Sequence, residues 1–393
     1  MRIGIDGSCW ANRRGYGRFA RCLVDEMVRR DHRNTYVIVL DSISQSDPGL
    51  APLPSGAEVR TVELDEAPAQ AAAATGGRSV SDLLRMGSAA RRARCDAYFF
   101  PASYSYYPVL TAPVVLTVHD AIADEMPDLT LPSRGDRIRW RLKQWAAVHE
   151  ARAVLTVSET SRAAITRALK VPPRRIHVIR EAAAPAFVPL AVADRRSRLR
   201  RFELGDGDPY LLYVGGISPH KNLEVLIEAF ELIAAEHPRL RLLLVGATDD
   251  DPFLSATGAV RAAIDRSPVR ARMQLTGYVP DDDLVALYSG AVATALPSLA
   301  EGFGLTAAES AACGTPVVAS RDPALVELLG DAGLYADASD PKAFAAHFRT
   351  LLTDDGLRAD TEAAIGRRAR DWSWAAAAQT TIELLERVGR GRG

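Results

Sequence analysis

The sequence predicts an α/β protein built from two doubly wound, Rossmann-like domains that face each other across a cleft. Short apolar runs rich in β-branched residues alternate with longer helical patterns along the whole chain. Most of these runs are continuously apolar, as expected of parallel strands that are buried on both faces. The length of 393 residues suits two domains of about 150–200 residues each.

The strand candidates fall into two series that are separated by helical patterns. The first series is Arg2–Asp6, Tyr36–Leu40, Val59–Leu64, Ala97–Phe100, Val114–Val118, Val154–Val157 and Ile176–Ile179. The second series is Tyr210–Val214, Leu240–Val245, Met273–Thr276, Ala293–Leu296 and Pro316–Ala319. Helical patterns between strands include Gly17–Arg30, Leu223–Glu236 and Leu305–Cys313. Repeated strand–helix–strand units are typical of doubly wound layers.

A stretch without strand patterns separates the two series. It contains Pro189, the charged run DRRSRLRRF and Gly205, and we predict a linker over residues 186–207. The two domains are therefore expected at 1–185 and 208–374. Ligands of such sheets bind outside the carboxyl ends of the strands, so we look for a site there.

Bulk properties exclude several classes of protein. A formal net charge of -1 argues against a general nucleic-acid binder, which needs a strongly basic domain. The four cysteines show no paired spacing for zinc or redox chemistry. The start MRIGIDG lacks the pattern of a signal peptide, and no stretch approaches the roughly 20 apolar residues of a membrane span. We expect a cytoplasmic protein.

The strongest functional pattern is PSLAEGFGLTAAESAACGTPVVAS, at Pro297–Ser320. A strand is predicted to end just before it, and a Gly-rich turn leads into a helix near Gly304. The start of that helix leaves free N–H groups at Phe303–Leu305, where the helix dipole favours an anion. Gly302 and Gly304 allow a phosphate to approach the backbone closely. The alternative is an ordinary strand–helix junction with solvated glutamates.

Two glutamates flank this turn, and the segment resembles the retaining GT-B glycosyltransferases of family four. A carboxylate at Glu309 can accept hydrogen bonds from the two hydroxyls of a ribose. The family signature is a Glu, seven intervening residues and a second Glu around a Gly-Phe-Gly turn, followed by Gly-Thr-Pro-Val. The matching residues are Glu301, Gly302, Phe303, Gly304, Leu305, Glu309, Gly314, Thr315, Pro316 and Val317.

The resemblance spans nearly the whole chain and assigns a role to each domain. It implies a GT-B fold in which 1–185 binds the acceptor, 208–374 binds a nucleoside diphosphate sugar, and a helix at 375–390 packs back on the first domain. It implies that Glu309 holds the ribose, that the backbone at Phe303–Leu305 binds the diphosphate, and that Glu301 lies beside the donor sugar.

A second matching segment, YLLYVGGISPHKNLEVLIEAF, places Lys221 at the mouth of a strand–helix junction. A lysine there can stabilise a departing diphosphate. Many family members carry an Arg five residues before this Lys, where this chain has Gly216. The positive charge that is missing at Gly216 can be supplied by His220 or Arg18, and Arg13 and Arg14 are further candidates.

Two further loops match donor-binding segments of the family. In LTGYVPDDDLVALY, the backbone near Tyr278 and Val279 is implied to lie against the nucleobase. In DGSCWANRRGYGR, the residues Gly15, Gly17 and Arg18 match a Gly-rich loop that approaches the diphosphate and the acceptor. A plain turn is the alternative for the second loop, because a lone Gly-x-Gly is a weak signal.

The strand VVLTVHD ends with His119 and Asp120 at its carboxyl end. A histidine at that place in a doubly wound sheet is a candidate functional residue. The resemblance places His119 near the donor sugar, as an orienting and polar stabilising group rather than a base.

A basic segment with a tryptophan, Arg134–Lys143, allows two interpretations. The first is a helix that buries Trp140 while its arginines stay solvated. The second is peripheral contact with an anionic membrane or a phosphorylated acceptor.

We interpret the chain as a retaining glycosyltransferase with His119, Glu301 and Lys221 at its catalytic centre. The acceptor is a saccharide, a lipid-linked saccharide or a natural-product aglycone. We expect no metal or other cofactor, because no Asp-x-Asp lies in a donor-facing loop and Asp281–Asp283 begins a helix. The alternatives are a sugar-nucleotide epimerase or phosphorylase of the same fold, and a non-catalytic partner that binds a nucleotide sugar.

Overall fold

The computed structural model divides the chain into two compact units. It describes residues 1–12, 15–47, 49–65, 79–131, 133–205, 207–246 and 255–391. Unit 1 comprises Met1–Glu181 with Ser373–Gly393, and unit 2 comprises Ala182–Trp372. The sequence placed the corresponding boundaries at 185, 208 and 374.

The described part of unit 1 is built on seven parallel strands in the order β3-β2-β1-β4-β5-β6-β7. The strands are β1 Arg2–Asp6, β2 Thr35–Asp41, β3 Ala57–Val62, β4 Ala97–Phe100, β5 Val114–Thr117, β6 Ala151–Thr156 and β7 Ile176–Val178. The register is set by pairs such as Ile3 with Tyr36 and Ile5 with Phe99. The order of the strands reverses between β1 and β4, which is the topological switch point of this sheet.

Helices lie between these strands, and the longer ones bury apolar side chains. They are α1 Gly15–Arg30, α2 Ser42–Gln45, α3 Val80–Arg92, α4 Ile122–Glu125, α5 Pro127–Thr130, α6 Arg134–Glu150 and α7 Glu159–Leu169. In α1, Phe19, Leu23 and Met27 recur at helical spacing and are fully buried. Helix α7 begins after Ser158, whose hydroxyl accepts the N–H of Ser161.

The described part of unit 2 contains six parallel strands in the order β10-β9-β8-β11-β12-β13. They are β8 Tyr210–Val214, β9 Arg241–Val245, β10 Met273–Gly277, β11 Ala293–Leu296, β12 Val317–Ser320 and β13 Leu334–Ala336. Here the order reverses between β8 and β11. Leu211, Leu242 and Phe230 belong to the core on one side of this sheet, and Leu212, Leu243 and Tyr288 to the core on the other.

The helices of unit 2 follow the same alternation. They are α8 Val192–Leu199, α9 Leu223–Ala234, α10 Thr257–Arg266, α11 Asp281–Gly290, α12 Leu305–Ala312, α13 Pro323–Leu329, α14 Pro341–Thr353 and α15 Asp355–Arg368. Helix α11 begins at Asp281 as predicted. Its N-cap is Pro280, without a side-chain hydrogen bond.

Residues 186–207 are not a linker, which corrects the sequence prediction. They contain α8, and the described residues of this stretch pack within unit 2. Two arginines of the charged run bind one buried carboxylate of α11, with Arg198 3.1 Å and Arg201 2.8 Å from Asp283. Phe202 and Leu204, which follow, are buried in the core of the unit. Arg198 and Arg201 are therefore ion-paired to unit 2, although both side chains keep contact with solvent.

The last helix, α16 Trp374–Gly389, returns to unit 1. It packs against α1 and β4 and buries Ile382 and Leu385. Its Glu386 accepts a hydrogen bond from Asn34 at 3.0 Å. Unit 1 therefore contains β1, near the start of the chain, and α16, near its end.

Candidate functional site

The candidate site of unit 2 lies at the switch point of its sheet. Lys221 follows β8 and Glu301 follows β11, the two strands between which the order reverses. The N–H of Leu299 donates to the carbonyl of His220 at 2.8 Å, which ties the two loops together. Two residues that are eighty positions apart are thereby placed at the edge where doubly wound sheets bind ligands.

An ion pair joins the two predicted catalytic residues of this unit. Nζ of Lys221 lies 2.8 Å from Oε1 of Glu301, and the hydroxyl of Ser298 donates to the same oxygen at 2.7 Å. The side chains of Lys221 and Glu301 are 19% and 12% exposed, so the pair is only partly screened by water. A lysine ammonium has three N–H donors, and this contact uses one of them.

Glu301 is held as an anion. Burial alone would raise the pKa of its carboxyl group. The charge of Lys221 and the hydrogen bonds from Lys221 and Ser298 outweigh that effect, and the pKa lies below its usual value. The carboxylate is therefore available as a hydrogen-bond acceptor at neutral pH.

The Gly-Phe-Gly turn leads into α12 as predicted. Gly304 caps this helix in the left-handed region, with φ of 94°. A Cβ at Gly304 would lie 2.6 Å from Cδ2 of Leu325, so only glycine fits. Glu309, the fifth residue of α12, is buried, and its Oε2 accepts the hydroxyl of Tyr288 at 3.0 Å. The tyrosine orients the carboxylate that was predicted to hold a ribose.

Several residues that support Glu301 were missed by sequence reasoning. The hydroxyl of Ser320 donates to the carbonyl of Ser298 at 2.6 Å, and Asn222 donates to the carbonyl of Pro297 at 3.0 Å. Asp322 caps α13 and also accepts the backbone N–H of Glu301. Burial and the nearby charge of Glu301 raise the pKa of Asp322 to about 6. Ser320 ends β12 and Asp322 follows it, so position at the carboxyl end of a strand was the sequence signal for these two residues.

Three neighbouring strands of unit 2 end in glycine, which leaves room above the sheet. Gly215, Gly246 and Gly277 follow or end β8, β9 and β10. A Cβ at Gly246 would lie 2.1 Å from the carbonyl oxygen of Gly215, so the two backbones are too close for any side chain. The carbonyl of Gly216 accepts the hydroxyl of Tyr213 at 2.6 Å. In the sequence these three glycines appear as VG, VG and TG at the ends of three apolar runs.

His220 is the first of the groups that were predicted to compensate for the charge missing at Gly216. Burial, and then the positive charge of Lys221, lower the pKa of His220 to about 4. The ring is therefore neutral at pH 7. Its Nδ1 is buried and has no hydrogen-bond partner among the described residues. Arg18 remains a candidate, and Arg13 and Arg14 lie outside the described residues.

The loop after β10 presents the residues that were predicted near the nucleobase. The side chain of Val279 is buried, whereas Tyr278 is exposed. The structure places both residues beyond the end of β10, and two strands, β9 and β8, lie between β10 and β11 in the sheet.

In unit 1, His119 lies just beyond β5 with both ring nitrogens opposite acceptors. Its Nε2 is 3.0 Å from the carbonyl of Pro101, and its Nδ1 is 3.4 Å from a carboxylate oxygen of buried Glu181. The ring also contacts Phe19 edge-on, with the centroids 4.6 Å apart. His119 is therefore contacted at both ring nitrogens and at its ring by Phe19, and Glu181 was not foreseen from the sequence.

The Gly-rich loop after β1 folds back on the start of α1. A Cβ at Gly17 would lie 2.0 Å from the carbonyl oxygen of Asn12, so this glycine allows the loop and helix to touch. Arg21 donates to the carbonyls of Trp10 and Asn12 at 2.6 and 2.8 Å. Gly15 begins the helix and is exposed, and the side chain of Arg18 is half-buried.

The described residues contain neither a cluster of metal-binding side chains nor a membrane-spanning helix. In these ranges no group of three His, Cys, Asp or Glu side chains could hold a metal ion. No helix in the same ranges is long and apolar enough to cross a membrane.

Comparisons with known proteins agree with these observations. The sequence pattern of the family described as "Glycosyl transferases group 1" matches residues 194–372, and that of "Glycosyltransferase Family 4" matches residues 13–183. The O-antigen chain mannosyltransferase B of Escherichia coli is 33% identical over 296 residues, which cover 74% of each chain.

Solved structures show the same fold. Sucrose-phosphate synthase from Thermosynechococcus elongatus superposes with a TM-score of 0.76 at 19% identity and covers 100% of both chains. HepE from Anabaena, solved in complex with UDP-glucose, superposes with a TM-score of 0.74 at 17% identity over 98% of this chain and 99% of that chain. The fold and the site define a glycosyltransferase of the GT-B class. The chain belongs to glycosyltransferase family 4.

Proposed function

We propose that the protein is a retaining glycosyltransferase that transfers a sugar from a nucleoside diphosphate sugar to a hydroxyl of an acceptor. The observation that carries this proposal is the Lys221–Glu301 ion pair beside the start of α12, with buried Glu309 on the same helix. The similarity to a mannosyltransferase favours a mannosyl donor, and the UDP-glucose complex of HepE makes a glucosyl donor the second choice.

The roles follow from the chemistry of these groups. The ammonium of Lys221 can keep Glu301 with one N–H and donate the others to the diphosphate. The free amides at Phe303–Leu305 bind the same anion, and Glu309 accepts the ribose hydroxyls. Glu301 accepts hydroxyls of the donor sugar. These donors stabilise the charge that develops on the departing diphosphate.

The proposed reaction needs no separate protein base. The acceptor oxygen forms a bond to the anomeric carbon on the face from which the diphosphate leaves, while the bond from that carbon to the phosphate oxygen breaks. The leaving phosphate oxygen takes the acceptor proton. This scheme fits His119, whose ring nitrogens both face acceptors and which would orient the sugar without taking a proton.

The nucleotide site is tested by calorimetry with GDP, UDP, dTDP and ADP. We expect one of the four to bind, and Glu309→Gln to weaken its binding about tenfold, because one ribose hydrogen bond to a charged acceptor is lost. Glu224→Gln, an exposed glutamate on α9, is the matched control. Equal affinities of Glu309→Gln and the parent chain would contradict the assigned role. We also expect turnover to be undiminished in excess EDTA, because the proposed transferase needs no metal. Each turnover should release the nucleoside diphosphate, whereas an epimerase releases none.

We also propose that unit 1 contacts an anionic membrane surface through the exposed face of α6. The structure places Trp140 inside, 3% exposed, with its indole N–H on Asp124. The apolar residues that α6 exposes are instead Ile138, Leu142 and Trp145, which are 60%, 63% and 66% exposed. They lie at helical spacing of four and three residues and so share one face.

The basic residues beside the exposed apolar face of α6 indicate what kind of surface this face contacts. Arg134 and Arg141 are exposed and border the apolar stripe on α6, and Arg134–Lys143 carries five basic residues and one acidic residue. Apolar side chains between arginines suit the boundary between headgroups and acyl chains of an anionic leaflet. The proposed membrane contact therefore extends beyond the predicted segment Arg134–Lys143 and includes Trp145.

Vesicle flotation tests this contact. We expect binding to vesicles that contain phosphatidylglycerol and none to pure phosphatidylcholine, with loss of binding in the double variant Leu142→Asn/Trp145→Asn. Leu232→Asn, an exposed leucine of unit 2, is the control and should float like the parent chain. Binding that is independent of anionic lipid, or unchanged in the double variant, would end the proposal.

A further inference from the structure

Two tryptophans stand on either side of the point where the chain passes from unit 2 to unit 1. Trp372 is the last residue of unit 2, and the part of the chain that returns to unit 1 begins with Ser373 and Trp374. Both tryptophans are 7% exposed, so both indole rings are buried. Neither residue has a role in the proposed reaction.

In unit 2, the ring of Trp372 packs against the Gly-Phe-Gly turn. The ring centroids of Trp372 and Phe303 are 6.4 Å apart with planes at 77°, an edge-to-face arrangement that is attractive between aromatic rings. Gly302 and Gly304 have no side chains, so the buried ring of Phe303 is the one side chain of this turn that can fix it. The turn carries the amides that are proposed to bind the diphosphate.

Trp372 is itself held by Arg368, the last residue of α15. The guanidinium carbon lies 5.9 Å from the centroid of the indole ring, within the range of a cation–π contact. The same guanidinium donates to the carbonyls of Leu328 and Glu327 at 2.7 and 2.9 Å and pairs with Asp371 at 2.8 Å. Because these contacts fix the cation in the last turn of α13, Trp372 packs on a defined support.

In unit 1, the ring of Trp374 supports the other group that is assigned to the donor. Trp374 is the first residue of α16, and its ring centroid lies 5.8 Å from that of Phe19, with planes at 67°. Phe19 is fully buried in α1 and contacts the ring of His119, with the centroids 4.6 Å apart. Trp374 therefore acts on the sugar-orienting histidine through one intervening ring.

We propose that both tryptophans are positioning residues, Trp372 for the diphosphate-binding turn of unit 2 and Trp374 for His119 of unit 1. This inference rests on the proposed function and adds two residues that act on it through Phe303 and Phe19. Neither indole needs to touch the donor. Because the two tryptophans are equally buried and only two positions apart, each is the matched control for the other.

Calorimetry on the full chain separates the two roles with matched probes: GDP and GDP-mannose, UDP and UDP-glucose, dTDP and dTDP-glucose, ADP and ADP-glucose. Trp372→Leu should weaken the free diphosphate and its sugar nucleotide equally, by about fivefold to tenfold, because the turn that binds the shared diphosphate loses its aromatic support. Trp374→Leu should weaken the sugar nucleotide by a similar factor and leave the free diphosphate unchanged, because His119 is assigned to the sugar alone. Trp372→Phe and Trp374→Phe keep an aromatic ring and should recover most of the affinity.

Fluorescence gives a second readout, for which the phenylalanine variants suffice if a leucine variant does not fold. Residues 182–372 contain one tryptophan, Trp372, and the other four belong to unit 1, namely Trp10, Trp140, Trp145 and Trp374. Because Trp372 contacts the turn that binds the diphosphate, the free diphosphate should change the emission of the parent chain and of Trp374→Phe. The emission of Trp372→Phe should not change.

Three results would overturn the inference. One is an equal loss of affinity for the free diphosphate in both leucine variants, which would indicate a general loss of structure. The second is an unchanged affinity of Trp374→Leu for the sugar nucleotide. The third is a diphosphate-induced change in emission that persists in Trp372→Phe. Failure of the proposed function is recognised separately, because the parent chain would then bind none of the four free diphosphates.

Discussion

Replacing Glu301 by glutamine is expected to abolish sugar transfer while tightening the binding of free nucleoside diphosphate. Glutamine keeps the shape of the side chain but removes the negative charge that is proposed to accept hydroxyls of the donor sugar, and kcat should fall by about 100- to 1000-fold. The carboxylate also holds Nζ of Lys221 at 2.8 Å, where it competes with a phosphate for the same ammonium. Without that competitor, the diphosphate alone binds several-fold more tightly.

The measurements are turnover with the donor that the nucleotide panel selects, and calorimetry with the corresponding free diphosphate. Glu228→Gln, an exposed glutamate on α9, is the matched control for loss of one negative charge near the site. Unchanged turnover in Glu301→Gln would refute the role of Glu301 in transfer. Weaker binding of the diphosphate would show that the carboxylate does not compete for Lys221.

The sequence could predict that Lys221 and Glu301 follow strands of the same sheet, but it could not predict the charge states of their neighbours. Both residues follow strands that were predicted with the observed bounds, Tyr210–Val214 and Ala293–Leu296. Parallel strands bring their carboxyl ends to one edge, so the two side chains were expected to be neighbours. The sequence could not show how deeply the groups around Lys221 and Glu301 are buried, or which of them carry a charge. The neutral ring of His220 depends on burial, and burial is a property of the packed unit.

Supporting contacts from distant segments were harder to predict than the strands themselves. Asp322 follows β12 and yet accepts the backbone N–H of Glu301, and Glu181 faces His119 from a position sixty residues later in the chain. Neither residue carries a local pattern that distinguishes it from an ordinary helix cap or a surface acid. Only the fold shows which backbone group or ring each carboxylate meets.

The fold was misjudged where short or charged elements depend on tertiary contacts. Strand β13 has only three residues, two of them half-buried, and gives no continuous apolar run. Helix α8 has no fully buried residue, and its arginines suggested a solvated linker. Arg198 and Arg201 instead bind Asp283, which a composition argument cannot reveal because the partner lies more than eighty residues away.

Replacing Lys221 by methionine is expected to have the opposite effect on nucleotide binding and the same effect on turnover. Methionine removes the cation that is proposed to bind the diphosphate, so binding of the diphosphate should weaken by about tenfold to 100-fold, the effect of losing a charge-assisted hydrogen bond. The departing diphosphate loses the same stabilisation in the transition state, and kcat should fall by about 100- to 1000-fold. Lys221→Arg, which keeps the charge, is the control and should retain most of the nucleotide affinity.

The stability of these variants tests the ion pair itself. Lys221→Met leaves the carboxylate of Glu301 without its cation in a site where burial already opposes ionisation, and should destabilise the protein by about 2 kcal/mol, less than for a fully buried pair because both side chains keep some exposure. The double variant Lys221→Met/Glu301→Gln has no unpaired charge and should recover most of that loss in chemical denaturation, while remaining inactive. If the two single effects on stability simply add, then the 2.8 Å contact contributes nothing in solution, and the competition between Glu301 and the diphosphate for Lys221 would have no basis.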